Sequence, residues 1–150
     1  MNALEQIISN HAFVSFALAW LAAQFAKGIQ GIFKEKSIKG FRRVIANGGM
    51  PSSHASSVCA LCTASVVSYG FSSFQFAVSA LLALIVMNDA FGVRYETGKH
   101  SKVLKKLIKE GDVEMDVNLK VAVGHTPLQV IVGAALGVAI SLALYYLFYR

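Results

Sequence analysis

Residues 128–149 read LQVIVGAALGVAISLALYYLFY, an apolar run without a single Asp, Glu, Lys or Arg. About 20 such residues in a helix cross the hydrocarbon core of a bilayer, so this stretch decides the class of the molecule. Moving outward, residues 7–25 and, but for Asp89 near its end, residues 74–93 are also apolar runs, and residues 55–69 form a shorter, Ser-rich fourth candidate. Its hydroxyls are expected to bond back to the backbone of their own helix or to neighbouring helices. The expected fold is all-α, a polytopic membrane bundle of four transmembrane helices. A chain of 150 residues that is 55% hydrophobic and 15% charged is too apolar for an ordinary soluble protein, and its length suits one domain over residues 1–150. Nothing positive precedes Lys27, so the first span lacks the basic leader of a signal peptide and is expected to remain as an anchor.

The net charge of +6 gains meaning from its location. Lys27, Lys34, Lys36, Lys39, Arg42 and Arg43 fall in the connection 26–54, and Arg94, Lys99, Lys102, Lys105, Lys106, Lys109 and Lys120 fall in the connection 94–127. Only Arg150 lies elsewhere. Four crossings put these connections on one side of a membrane and both termini on the other. The positive-inside rule assigns the basic side to the cytoplasm of a plasma or inner membrane. Charge confined to the flanks of spans points to an anionic membrane surface as partner and not to nucleic acid. Within the second connection, Val103, Leu104, Leu107 and Ile108 recur at helical spacing among lysines. That pattern describes an amphipathic helix on the leaflet, ended by Gly111. Its plainer reading is a solvated basic helix.

Two strings carry chemistry. Gly48-Gly49-Met50-Pro51-Ser52-Ser53-His54 leads into the second span. Glycines permit tight turns, Pro-Ser-Ser at a helix start offers free N–H groups and hydroxyls to an anion, and His54 can move a proton near neutral pH. A Ser-capped helix with a polar interfacial His is the plainer alternative. Gly124-His125-Thr126-Pro127 leads into the last span on the same face, followed by Gln129, Gly133 and Gly137. The GxxxG pair reads as close helix packing and also offers a surface for pairing copies of the chain. Cys59 and Cys62 lie in an apolar span without partner ligands and read as packing, and no metal or other cofactor is expected. His11, at the far end of the first span, and His100, in the basic loop, carry no motif.

With these strings placed, the sequence resembles the divergent branch of the type 2 phosphatidic acid phosphatase (PAP2) superfamily, over most of the chain. Lys27 and Lys34 have the spacing of that superfamily's first motif, Pro51-Ser52-Ser53-His54 is similar to its Pro-Ser-Gly-His, and Gly124-His125-Thr126-Pro127 with Gly133 and Gly137 to its third motif. The string Asn88-Asp89-Ala90-Phe91-Gly92-Val93-Arg94 also looks like the divergent branch. The resemblance implies metal-free hydrolysis of a lipid phosphomonoester or pyrophosphate. His125 would attack phosphorus to form a phosphohistidine and His54 would protonate the leaving oxygen, while Lys27, Lys34, Ser52, Ser53 and Lys120 would hold the phosphate. Gly49, Pro51 and Gly124 would shape the site.

The chain departs from the superfamily at several points. Lys34-Glu35 replaces Arg-Pro, which exchanges a bidentate guanidinium for a point charge. Ser53 replaces Gly, Leu119 followed by Lys120 occupies the Arg position, and Gln129 stands where an Asp would orient the nucleophile. An Asp near the end of a membrane helix is costly and usually paired or functional. Asp89 is therefore expected either to orient His125, with Arg94 supplying the missing phosphate contact, or to form an ion pair with Arg94 or Lys27. The departures keep open a second function, a non-catalytic lipid-phosphate binding or translocation protein that retains the cradle.

Overall fold

The computed structural model describes residues 2–45, 49–110 and 126–150. Among these, the chain forms helices α1 (Ala3–Ser9), α2 (His11–Glu35), α3 (Ser53–Tyr69), α4 (Phe74–Phe91), α5 (Val93–Glu110) and α6 (Pro127–Leu144). A 3-10 segment, Ile38–Ile45, follows α2, and a π-helical turn, Tyr145–Tyr149, ends α6. The fold is all-helical.

Short polar side chains set the helix starts, because a side-chain oxygen can take one of the first N–H groups that lack an intrahelical acceptor. Asn10, Ser52, Ser73 and Thr126 each accept such a bond at the starts of α2, α3, α4 and α6. The Asn10 cap also corrects the first expected span. The helix that crosses the bundle starts at His11 and not at residue 7, and it runs unbroken past Lys27 and Lys34 to Glu35. Lys36, in the left-handed conformation, ends it.

The directions of the helices follow from their end contacts. His11, at the start of α2, bonds Ser68 near the end of α3 and the Ser141 carbonyl near the end of α6. Ser52, just before α3, bonds Gln129 in the first turn of α6. Hence α3 and α6 run parallel and α2 runs against both. Ala90, near the end of α4, packs with Ala55 and Val130, near the starts of α3 and α6, so α4 also runs against α3. Both long connections therefore leave from one end of the bundle. At the other end the Tyr149 hydroxyl donates to the Ile8 carbonyl, which brings the two termini together.

Small residues make this packing close. Ser15, Ala19 and Ala23 of α2, Ser56, Ala60 and Ala64 of α3, and Gly133, Gly137 and Ser141 of α6 are all buried at spacings of four. A Cβ on Gly133 would run into the Ser52 carbonyl oxygen, and one on Gly137 into that of Ser56. The GxxxG pair thus seats α6 on α3 within one chain, and pairing of copies would need another surface.

Among the described residues two helices, His11–Glu35 and Pro127–Tyr149, are long and apolar enough to cross a membrane, where four were expected. The apolar part of α4, Phe74–Ala90, is shorter, and α3 has 17 residues rich in Ser. Position explains the weakness of α3: it packs against α2, α4 and α6 and is the central helix. Its hydroxyls are satisfied inside the bundle, Ser57, Thr63 and Ser65 by carbonyls one turn back and Ser56 by the Ala19 carbonyl of α2. The outer helices carry the apolar surface, with Phe13, Trp20 and Phe25 exposed on α2, Leu81, Leu84 and Ile85 on α4, and Leu128 and Ile131 on α6.

Candidate functional site

The row His11, Ser15, Ala19, Ala23, Lys27, Gly31 takes every fourth position of α2 into the bundle. Lys27, only 4% exposed, is the charged member of that row. Its ammonium donates to Ser53 Oγ at 3.1 Å and to Gln24 Oε1 at 3.0 Å. Among the described residues both acceptors are neutral. A buried cation held only by neutral oxygens is left without a balancing charge, and an anion beside it would relieve that cost.

Two helix starts converge on the same place. The Ser52 backbone N–H donates to the Gln129 carbonyl at 3.0 Å, and Ser52 Oγ accepts from the Ala55 N–H at 3.3 Å. The first turns of α3 and α6 lie side by side and parallel, so the positive ends of two helix dipoles add to the Lys27 charge. Pro51, Ser52 and Ser53 are buried, and the Met50-Pro51 bond is cis. Gly49 has φ of 92°, which suits glycine, and a Cβ there would lie 3.9 Å from Cγ and Cδ of Lys27. The turn therefore passes over the lysine stem.

Other site candidates take up varied positions. His54 is the second residue of α3 and is exposed at this end. Asp89 is half-buried in the last turn of α4, next to Ala90, whose contacts with Ala55 and Val130 bring that turn to the same end. Lys34 is exposed, about 10 Å farther along α2 than Lys27 at 1.5 Å per residue. The two lysines thus sit at different levels, one inside the bundle and one beyond it. Gln129 Oε1 accepts from the Thr126 N–H at 3.0 Å while Thr126 Oγ1 accepts from the Gln129 N–H at 3.4 Å, a capping box that starts α6. Lys120, Gly124 and His125, and the side chain of Arg94, lie outside the described residues; Thr126, next in sequence to His125, is the N-cap of α6.

Sequence reasoning missed Gln24, although its position three residues before Lys27 on one helix face was a usable signal. Cys59 lies against Met87 of α4, sulfur to sulfur at 3.8 Å, and reads as packing. Among the described residues no group of three or more His, Cys, Asp or Glu is arranged to hold a metal ion.

Comparison with known proteins agrees with this frame. Residues 8–140 match the family model described as Divergent PAP2 family, a range that takes in both convergent helix starts. A Bacillus subtilis (strain 168) protein named "Uncharacterized membrane protein YuiD" is 35% identical over 158 aligned residues, which cover 95% of this chain and 99% of that protein. No solved structure matches. The chain belongs to the divergent PAP2 family.

Proposed function

We propose that the chain is an integral membrane phosphatase that hydrolyses a phosphomonoester or pyrophosphate of a lipid. The buried Lys27 ammonium beside the paired starts of α3 and α6 is the observation that carries this reading. Phosphate oxygens take up the lysine charge and the helix-start N–H groups. Nε2 or Nδ1 of His125 attacks phosphorus, the P–O bond to the lipid breaks, and His54 gives its proton to the departing oxygen. Water then gives a proton to His54 as it attacks the phosphohistidine, the N–P bond breaks to free His125, and inorganic phosphate leaves. Asp89 orients His125, and Arg94 and Lys120 add positive charge around the phosphate. Four crossings fit this reading: α3, though short, reaches about 25 Å at 1.5 Å per residue and is shielded from lipid by its neighbours. The basic end faces the cytoplasm, with α5 along the anionic leaflet. Val103, Leu104 and Leu107 are exposed on α5 among Lys105 and Lys106.

One observation favours a second reading, a non-catalytic lipid-phosphate binder. Gln129, at the position of the superfamily's orienting Asp, has its side-chain oxygen committed to the Thr126 N–H. Phosphate release from a panel of lipid phosphates by the purified chain in detergent separates the two. The phosphatase reading expects release that is lost in His125→Ala and His54→Ala and reduced at least about tenfold in Asp89→Asn. Binding of a lipid phosphate without release across the panel selects the binder. Full turnover in Asp89→Asn removes Asp89 from the mechanism.

A further inference from the structure

The 3-10 segment Ile38–Ile45 reads IKGFRRVI. With three residues per turn, side chains three apart line up. One row is Ile38, Phe41 and Val44, and the next is Lys39 and Arg42. Gly40 falls against the Gly31 backbone, while Phe41 and Val44 close on Gly28, so the segment is pressed onto α2 at the residue next to Lys27. Phe41 and Val44 keep part of their surface at the edge of this contact, where a groove stays open. Ile38 is 84% exposed, Lys39 and Arg42 are exposed, and with Ser37, Phe41 and Val44 they line a groove of about 620 Å³.

We propose that this groove docks one anionic phospholipid of the surrounding bilayer. Its acyl chain lies along Ile38, Phe41 and Val44, and its phosphate sits between Lys39 and Arg42. The segment that holds it packs on Gly28, the residue after Lys27, and a lipid phosphate docked here is the form in which substrate arrives; that second step rests on the lipid-phosphate reading above. The occupant follows from charge and polarity together. Two cations one 3-10 turn apart, about 6 Å, suit a single phosphate, which a guanidinium grips in two places and an ammonium neutralises. A soluble anion would leave the apolar row in water, whereas a lipid covers it.

The test uses the full chain in phosphatidylcholine nanodiscs, with Ile38→Trp as a reporter in a Trp20→Phe background, Trp20 being the sole native tryptophan. Quenching by brominated phosphatidic acid is compared with quenching by brominated phosphatidylcholine. Docking expects the anionic lipid to quench at a roughly twenty-fold lower mole fraction. Lys39→Gln and Arg42→Gln should each reduce that preference by roughly fivefold, the double variant should abolish it, and inorganic phosphate should leave it intact. Equal quenching by the two lipids, a preference that survives loss of both cations, or displacement by inorganic phosphate would overturn the proposal. The readout needs no turnover, so docking without phosphate release leaves the groove standing and removes the phosphatase reading alone.

Discussion

Both ends of the bundle bury an ionisable side chain from the same row of α2, and the two are treated differently. His11, 6% exposed, has both ring nitrogens occupied, Nδ1 with Ser68 Oγ at 3.2 Å and Nε2 with the Ser141 carbonyl at 3.1 Å. The carbonyl can only accept, so Nε2 donates to it, while Nδ1 shares a hydrogen bond with the Ser68 hydroxyl. Tyr145 and Tyr149 pack on its sides, with ring centroids 5.6 and 4.9 Å away. Lys27, at the other end, has its ammonium on two oxygens that are both neutral among the described residues. A buried polar group whose bonding is complete ties helices together, whereas one whose charge is unbalanced waits for a counter-ion. Under the proposed function the His11 end is structural and the Lys27 end is the one that takes a ligand.

The largest expected effect would break both ends at once. Gly137→Leu forces a side chain into the Ser56 carbonyl and should cost about 3 kcal/mol or more, read as loss of monodisperse protein and a lower Tm in detergent. An unchanged Tm would mean that α6 does not depend on this seat. His11→Ala removes two hydrogen bonds and two ring contacts. It should cost about 2 kcal/mol by thermal unfolding while leaving lipid-phosphate affinity per folded molecule unchanged. A parallel loss of affinity would dissolve the distinction between the ends. Ser53→Ala leaves the lysine in place but removes one oxygen that aims it, and should weaken lipid-phosphate binding about fivefold in an equilibrium titration. Lys34→Gln should change the same affinity by less than about threefold, because an exposed charge is screened by water and salt. A larger change would bring Lys34 into the site.

What the sequence shows clearly is what lipid and water select one residue at a time. The apolar runs of α2, α4 and α6 place apolar side chains on the outside of the bundle and were legible. Helix α3 was the doubtful span because hydropathy measures fitness for lipid, and α3 meets helices on its sides. The strings around Ser52 and His125 pointed to a shared face, and the Ser52 to Gln129 bond supplies the contact for the described part of it. Lys27 and Lys34 entered the site together on their motif spacing, and a spacing of seven gives direction around a helix axis and not depth along it. The His11 cluster was invisible for another reason: its partners lie 57 and 130 residues away in sequence. No local pattern marks such a meeting. Gln129 read as a substitute for an orienting carboxylate, and its capping role became visible only once Thr126 was seen to start the helix.

The central claim is that the buried Lys27 charge holds the phosphate of a lipid. Equilibrium binding of a lipid phosphate to the purified chain, compared with Lys27→Met, tests it most directly. Met keeps most of the apolar stem of the lysine and removes the ammonium with its bonds to Ser53 and Gln24, and replacing a buried cation by an apolar side chain of similar volume should leave Tm unchanged or raise it. The expected result is a loss of affinity of roughly thirty-fold or more, together with a Tm at least as high as that of the unaltered chain. Equal affinity in the two proteins would contradict the account and place the phosphate, if it binds at all, elsewhere on the molecule.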